Sequence, residues 1–134
     1  MNKRFFTVSE ANALIPFLTE RVEELRTVYD ELNRSYKNRT HSLQDIQSNG
    51  GMPVDGRYFH LICSLQTVAS EIDSKGCQIK DLEGGLIDFP TVWEGREVFL
   101  CWKIGELEVR FWHEIDAGFA GRQPLSNGCT KKRD

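Results

Sequence analysis

The chain of 134 residues contains no C-x-x-C pair, only 3 histidines, and no apolar run approaching the length of a membrane span. Each shortage excludes something. Without paired cysteines at metal-knuckle spacing there is no zinc ribbon, and the scattered Cys63, Cys77, Cys101 and Cys129 read as reduced thiols of a cytoplasmic protein. Without a long apolar segment there is no spanning helix. Positive charge is also short: a formal net charge of -3 leaves no broad basic face for nucleic acid. The basic run at 131–133 reads as part of a solvated, flexible tail over 126–134. The opening M-N-K-R-F-F-T-V-S-E has no sustained apolar core and no cleavage signal, so it reads as part of the fold.

What remains is enough for one domain. Hydrophobic residues make up 40% of the chain and charged residues 28%, a balance that supports a single packed core at this length. The predicted domain covers 1–125, with a helical hairpin over 7–76 and a β-meander followed by a glycine-rich loop over 77–125.

The first half has helical period. Thr7-Val8-Ser9-Glu10 is a capping box, in which hydroxyl and carboxylate each accept the other residue's amide. Ala11, Ile15, Leu18, Val22, Leu25, Tyr29, Leu32 and Tyr36 then recur at steps of four and three. Pro16 lacks the N–H that a helix interior needs, which predicts a bend there. Over 37–55 the pattern dissolves around Asn49-Gly50-Gly51 and Pro53 into a loop, with His41 on its surface. A second seam follows through Tyr58, Ile62, Leu65, Ala69 and Ile72, with Gly76 as its stop. Two such seams pair as an antiparallel hairpin. They could also join two chains as a homodimer, but buried stripes more often serve their own core.

The second half has strand period. Residues 77–83 and 86–93 alternate, and Glu94-Gly95 and Gly105-Glu106 punctuate the rest as two-residue hairpin turns. That register pairs Trp93 with Arg96 and Ile104 with Leu107. It collects Ile87, Phe89, Val98, Leu100, Trp102, Val109 and Phe111 on the face laid against the helices, with His113 at its end. Pro90 predicts an edge or a bulge. On the other face, Lys103 meets Glu108, Phe99 lies between Pro90 and Trp112, and Cys101 lies between Asp88 and Arg110. Glu97 falls opposite Glu114, a like-charge conflict unless a cation relieves it or pairing ends sooner.

Candidate site residues concentrate at this end of the sheet. Trp112 is a candidate apolar wall, Arg110 and Arg122 are candidate anion contacts, and Asp88 and His113 are candidate ligand-binding groups. A histidine among carboxylates suits a divalent metal, for which His113, Asp116, Glu114 and Glu97 are the candidates. It also suits a general base, or simply a hydrogen-bonded structural histidine. The glycine-rich 118–124 segment could approach an anion through its amides, but it lacks the ending of a P-loop. Cys101 is either a reactive thiol beside a guanidinium or a packed strand residue.

Four stretches, F-T-V-S-E-A-N-A-L-I-P, K-G-C-Q-I-K-D-L-E-G-G-L-I-D-F-P, R-E-V-F-L-C-W-K-I-G-E and F-W-H-E-I-D-A-G-F-A-G-R-Q-P-L, resemble a prokaryotic family known as a domain of unknown function, family 2203. The resemblance implies a small, stand-alone prokaryotic protein and brings no activity, cofactor or site residue with it.

The expected fold is therefore α+β, an antiparallel helical hairpin packed on a three- to four-stranded antiparallel β-meander. Two functions follow from the residues. One is a cytoplasmic binding module for a small ligand, metal or protein partner near His113 and the 114–125 loop. The other is a small hydrolase-like or lyase-like enzyme that uses His113 with Asp116, Glu114 or Asp88.

Overall fold

A computed structural model describes residues 4–35, 56–117 and 119–125. The sequence positions Tyr36, His41 and Cys129, the 37–55 loop and the 126–134 tail lie outside these residues, as does Gly118.

The Thr7 hydroxyl accepts the Glu10 amide at 3.0 Å and the Glu10 carboxylate accepts the Thr7 amide at 3.0 Å, so the capping box starts helix α1, Val8–Ala13. Helix α2, Ile15–Ser35, begins after a one-residue break at Leu14. The break stands in place of the expected bend. Pro16 then occupies the first turn of a new helix, where no intrahelical acceptor awaits its missing N–H. Helix α3 runs from Gly56 to Asp73.

Helices α2 and α3 are antiparallel, because the head of each touches the tail of the other. Arg21 reaches Glu71 at 3.2 Å, and Arg57 pairs with Glu31 at the opposite end. Ala11, Leu18, Val22, Leu25 and Leu32 are buried, as are Tyr58, Ile62, Leu65 and Ile72. Leu61 and Val68 are buried beside them, which widens the second stripe to the face of a globular helix. No helix among the described residues is long and apolar enough to cross a membrane.

Five strands follow: β1 Gln78–Asp81, β2 Leu86–Trp93, β3 Arg96–Lys103, β4 Phe111–His113 and β5 Gln123–Pro124. They pair in chain order, each antiparallel to the next, as a meander. The fold is α+β as expected, with one strand more than the sequence suggested. The two residues of β5 are too few to carry a period.

The first hairpin follows the predicted register, with Trp93 opposite Arg96, Phe89 opposite Leu100 and Ile87 opposite Trp102. Its turn has Glu94 at φ 54° and Gly95 at φ 79°, the two left-handed residues that a type I′ turn requires. Glutamate tolerates that conformation poorly. The variant Glu94→Asn is therefore expected to raise stability by about 0.5–1 kcal/mol, read as a shift of the urea midpoint with an unchanged slope. Strand β1 pairs only as far as Asp88, so Pro90 lies beyond its reach and its carbonyl accepts the Phe6 amide at 2.8 Å.

The second hairpin differs from the expectation. The chain reverses over Ile104-Gly105, not over Gly105-Glu106: the Glu106 amide donates to the Lys103 carbonyl at 3.0 Å, and Gly105 has φ 100°. Residues 106–110 then run irregularly before β4, held where the Asn12 side chain accepts the Val109 amide at 2.7 Å. Strand β4 consequently pairs Phe99 with His113, Leu100 with Trp112 and Cys101 with Phe111, one residue out of the predicted register. A slip of one exchanges the faces of a strand. Trp112 therefore joins the core with Ile87, Phe89, Val98, Leu100, Trp102 and Val109, while Phe111 and His113 stand on the other face. The β3–β4 ladder runs only from Cys101–Phe111 to Phe99–His113, so Lys103 is not paired with Glu108 and Glu97 is not paired with Glu114.

Candidate metal centre

Three neighbouring strands each give one polar side chain to the face turned away from the helices. Asp88 stands on β2, Cys101 directly opposite it on β3, and His113 on β4. All three are buried, at 1%, 1% and 2% exposure, which is unusual for a carboxylate and an imidazole. Buried polar groups need partners, and these have found one another. His113 Nε2 lies 3.0 Å from Asp88 Oδ2, and one donor atom from each of Asp88, Cys101 and His113 lies within 4.8 Å of the others.

The other ring nitrogen fixes the tautomer. His113 Nδ1 sits 2.7 Å from the Glu114 carbonyl oxygen, which can only accept, so Nδ1 carries the proton and donates. In the neutral ring, Nε2 then presents a lone pair to a carboxylate oxygen. Two acceptors at that separation need a cation between them: a shared proton, or a metal ion bound by both. The Phe99 ring packs on the imidazole with centroids 5.5 Å apart.

Arg122 borders the site. Its Nε donates to Cys101 Sγ at 3.3 Å and its Nη2 to the Cys101 carbonyl at 3.3 Å and to Glu106 Oε1 at 2.9 Å. Burial works against the guanidinium charge, but the bonds to Glu106 and Cys101 outweigh it and its pKa is raised. Burial pushes the Cys101 thiol up to about 11, opposed by the Arg122 hydrogen bond and assisted by the Asp88 charge. Cys77 is likewise pushed to about 11, chiefly by burial. Alkylation of the metal-free folded protein at neutral pH should therefore spare Cys77 and Cys101 and modify the half-buried Cys63, as peptide mass mapping would read. Rapid modification of Cys101 would contradict this.

Above the three side chains lies a pocket of about 350 Å³ whose lining adds Lys80, Asp81, Leu86 and Ile115. Lys80, Asp81 and Ile115 are exposed and form its rim.

Not every candidate lies here. Asp88 and His113 do, and Arg122 reaches them through Cys101. Trp112 does not line the pocket: it lies on the core face, edge-on to Trp93 with centroids 4.4 Å apart. Arg110 is exposed and bound to Glu108 at 3.2 Å. Of the four metal candidates only His113 belongs to the donor set. Glu114 pairs with Arg96, Asp116 is exposed, and Glu97 lies opposite Val92. The sequence offers Cys101 only as a reactive or packed thiol and carries no signal for Glu106 beyond its place in a turn. The predicted row of carboxylate, thiol and guanidinium does exist, but Arg122 supplies the guanidinium in place of Arg110.

The model of the DUF2203 family, described as an uncharacterized conserved protein, matches residues 4–125. The chain belongs to this family. The DUF2203 match spans every element of the site, from the strand bearing Asp88 to Arg122. No curated protein and no solved structure matches the chain.

Proposed function

We propose that the protein is a metal-binding module of a reducing, cytoplasmic compartment, holding one zinc-type divalent ion between Asp88, Cys101 and His113. The observation that carries this reading is the orientation of the imidazole. With its Nδ1–H held by a backbone carbonyl, His113 aims Nε2 at Asp88 and Cys101, the arrangement that fixes a metal-ligating histidine. Tetrahedral zinc holds its nitrogen, oxygen and sulfur ligands roughly 3.3–3.8 Å apart. The observed 3.0 Å contact and the 4.8 Å limit of the donor set bracket that spacing. A mixed thiolate, imidazole and carboxylate set suits zinc and its transition-metal neighbours better than magnesium or calcium. Cys63, Cys77 and Cys101 are free, which agrees with a reducing compartment.

The test is metal stoichiometry after dialysis against zinc and removal of the excess. The wild-type chain should retain one equivalent, and Cys101→Ser and His113→Ala should retain little. A folded wild-type protein that keeps none, or variants that keep a full equivalent, would overturn the reading.

A small metal-dependent hydrolase or lyase is the second reading, favoured by the pocket. Three protein ligands leave a coordination position for water or substrate, and a cavity adjoins all three. Zinc-dependent cleavage of an activated ester by the wild-type chain, absent from His113→Ala, would support it. Equal rates in the two proteins would dismiss it.

A further inference from the structure

We infer that Arg122 is a positioning residue of this metal centre, held by the irregular turn after β3 so that its guanidinium supports Cys101 as a metal ligand. The inference rests on the metal-binding reading and extends it to residues outside the donor set.

Three contacts hold the guanidinium. Its Nη2 donates to Glu106 Oε1 at 2.9 Å, its Cζ lies 4.1 Å from the centroid of the Phe111 ring, and Nη2 also donates to the Cys101 carbonyl. Phe111 is the residue directly opposite Cys101 in the sheet, so the ring that Arg122 lies against fixes its reach to that position. With these contacts made, Nε is left facing Cys101 Sγ at 3.3 Å.

Glu106 is itself fixed. Its Oε1 accepts the Lys103 amide at 2.8 Å, and its carbonyl accepts Trp102 Nε1 at 2.9 Å. The turn that displaces the β4 register therefore anchors the residue that orients Arg122. One segment both brings His113 to the site and supports its sulfur.

The chemistry gives the contact its consequence. A hydrogen bond from a cation to a metal-bound thiolate is charge-assisted, and one to a neutral thiol is weak. Arg122 thus stabilises the metal-bound state more than the free one. The same bond draws charge from the sulfur and lowers the energy of the electrons it offers the metal, as outer partners of ligating groups do.

Cobalt(II) serves as the probe, because sulfur-to-cobalt charge transfer reports on the thiolate directly. Arg122→Met keeps the aliphatic stem and removes the donors. It should weaken cobalt binding by about tenfold or more and move the charge-transfer band to lower energy. In a Cys101→Ser background the same substitution should cost little further affinity, since the sulfur it acts through is gone. Glu106→Gln should shift both readouts in the same direction by less. Arg122→Lys, which restores a charge and a donor, should fall between Met and wild type, and with Glu106→Gln it carries the test if the Met variant does not fold. An unchanged band and affinity in these variants, or an equal loss with and without Cys101, overturns the role of Arg122 alone. A wild-type chain that takes up no cobalt overturns the metal centre, and this inference with it.

Discussion

Replacing Asp88 by alanine is expected to destabilise the metal-free protein by about 3 kcal/mol or more and to abolish metal binding. Asp88 is 1% exposed, and His113 Nε2 is 3.0 Å from its carboxylate. Removing it leaves a buried imidazole nitrogen facing a void. The double replacement Asp88→Leu with His113→Leu should recover most of that loss, because an apolar pair needs no desolvation or partner. It should not recover metal binding. Urea unfolding with and without zinc separates the two effects: zinc should raise the wild-type midpoint and leave both variants where they are. A zinc-induced shift in the double variant would show that the ion binds elsewhere.

The largest loss of stability from one side chain is expected at Trp102. It is fully buried at the centre of the face that packs on the helices. Trp102→Ala should cost about 3–5 kcal/mol through lost burial and the cavity left behind. Its Nε1 also holds the Glu106 carbonyl at 2.9 Å, so the indole ties the core to the turn behind the site. Trp102→Phe keeps most of the packing and loses that bond. It should cost about 1–2 kcal/mol and also weaken cobalt binding, whereas a conservative change elsewhere in the core, such as Ile72→Val, should cost stability alone. Equal cobalt affinity in Trp102→Phe and wild type would remove the turn from the support of the site.

These expectations show what the sequence could disclose. The capping box at Thr7 and both helical stripes were legible because each is written in local period and cap chemistry. The first hairpin was legible because Glu94-Gly95 fixes loop length, and loop length fixes register. The second was not. Gly105-Glu106 has the composition of the same turn, but Gly105 takes its left-handed conformation inside a reversal that begins one residue earlier. Five irregular residues then separate the turn from β4, and no period runs through them.

That single residue decided the site. The predicted register buried Phe111 and His113 in the core and left Trp112 on the wetter face. The observed one buries the larger apolar ring and sets the histidine beside Asp88 and Cys101. Side-chain chemistry favours this result, since an imidazole has two ring nitrogens to satisfy, whereas an indole has one N–H on a much larger apolar body. The carboxylate–thiol row was legible, because it depends only on the first hairpin. Sequence chemistry marks Arg122 as an anion contact, but its hold on Cys101 depends on Glu106 and on the pairing of β5 with β4, which sequence pattern does not specify.

The most direct test of the metal centre is the electronic spectrum of the wild-type chain titrated with cobalt(II). One equivalent should produce ligand-field bands of a four-coordinate ion together with a thiolate charge-transfer band. Cys101→Ser should lose the charge-transfer band, and His113→Ala should lose the spectrum. A featureless titration of folded wild-type protein, or a charge-transfer band that persists in Cys101→Ser, would contradict a metal held by Asp88, Cys101 and His113.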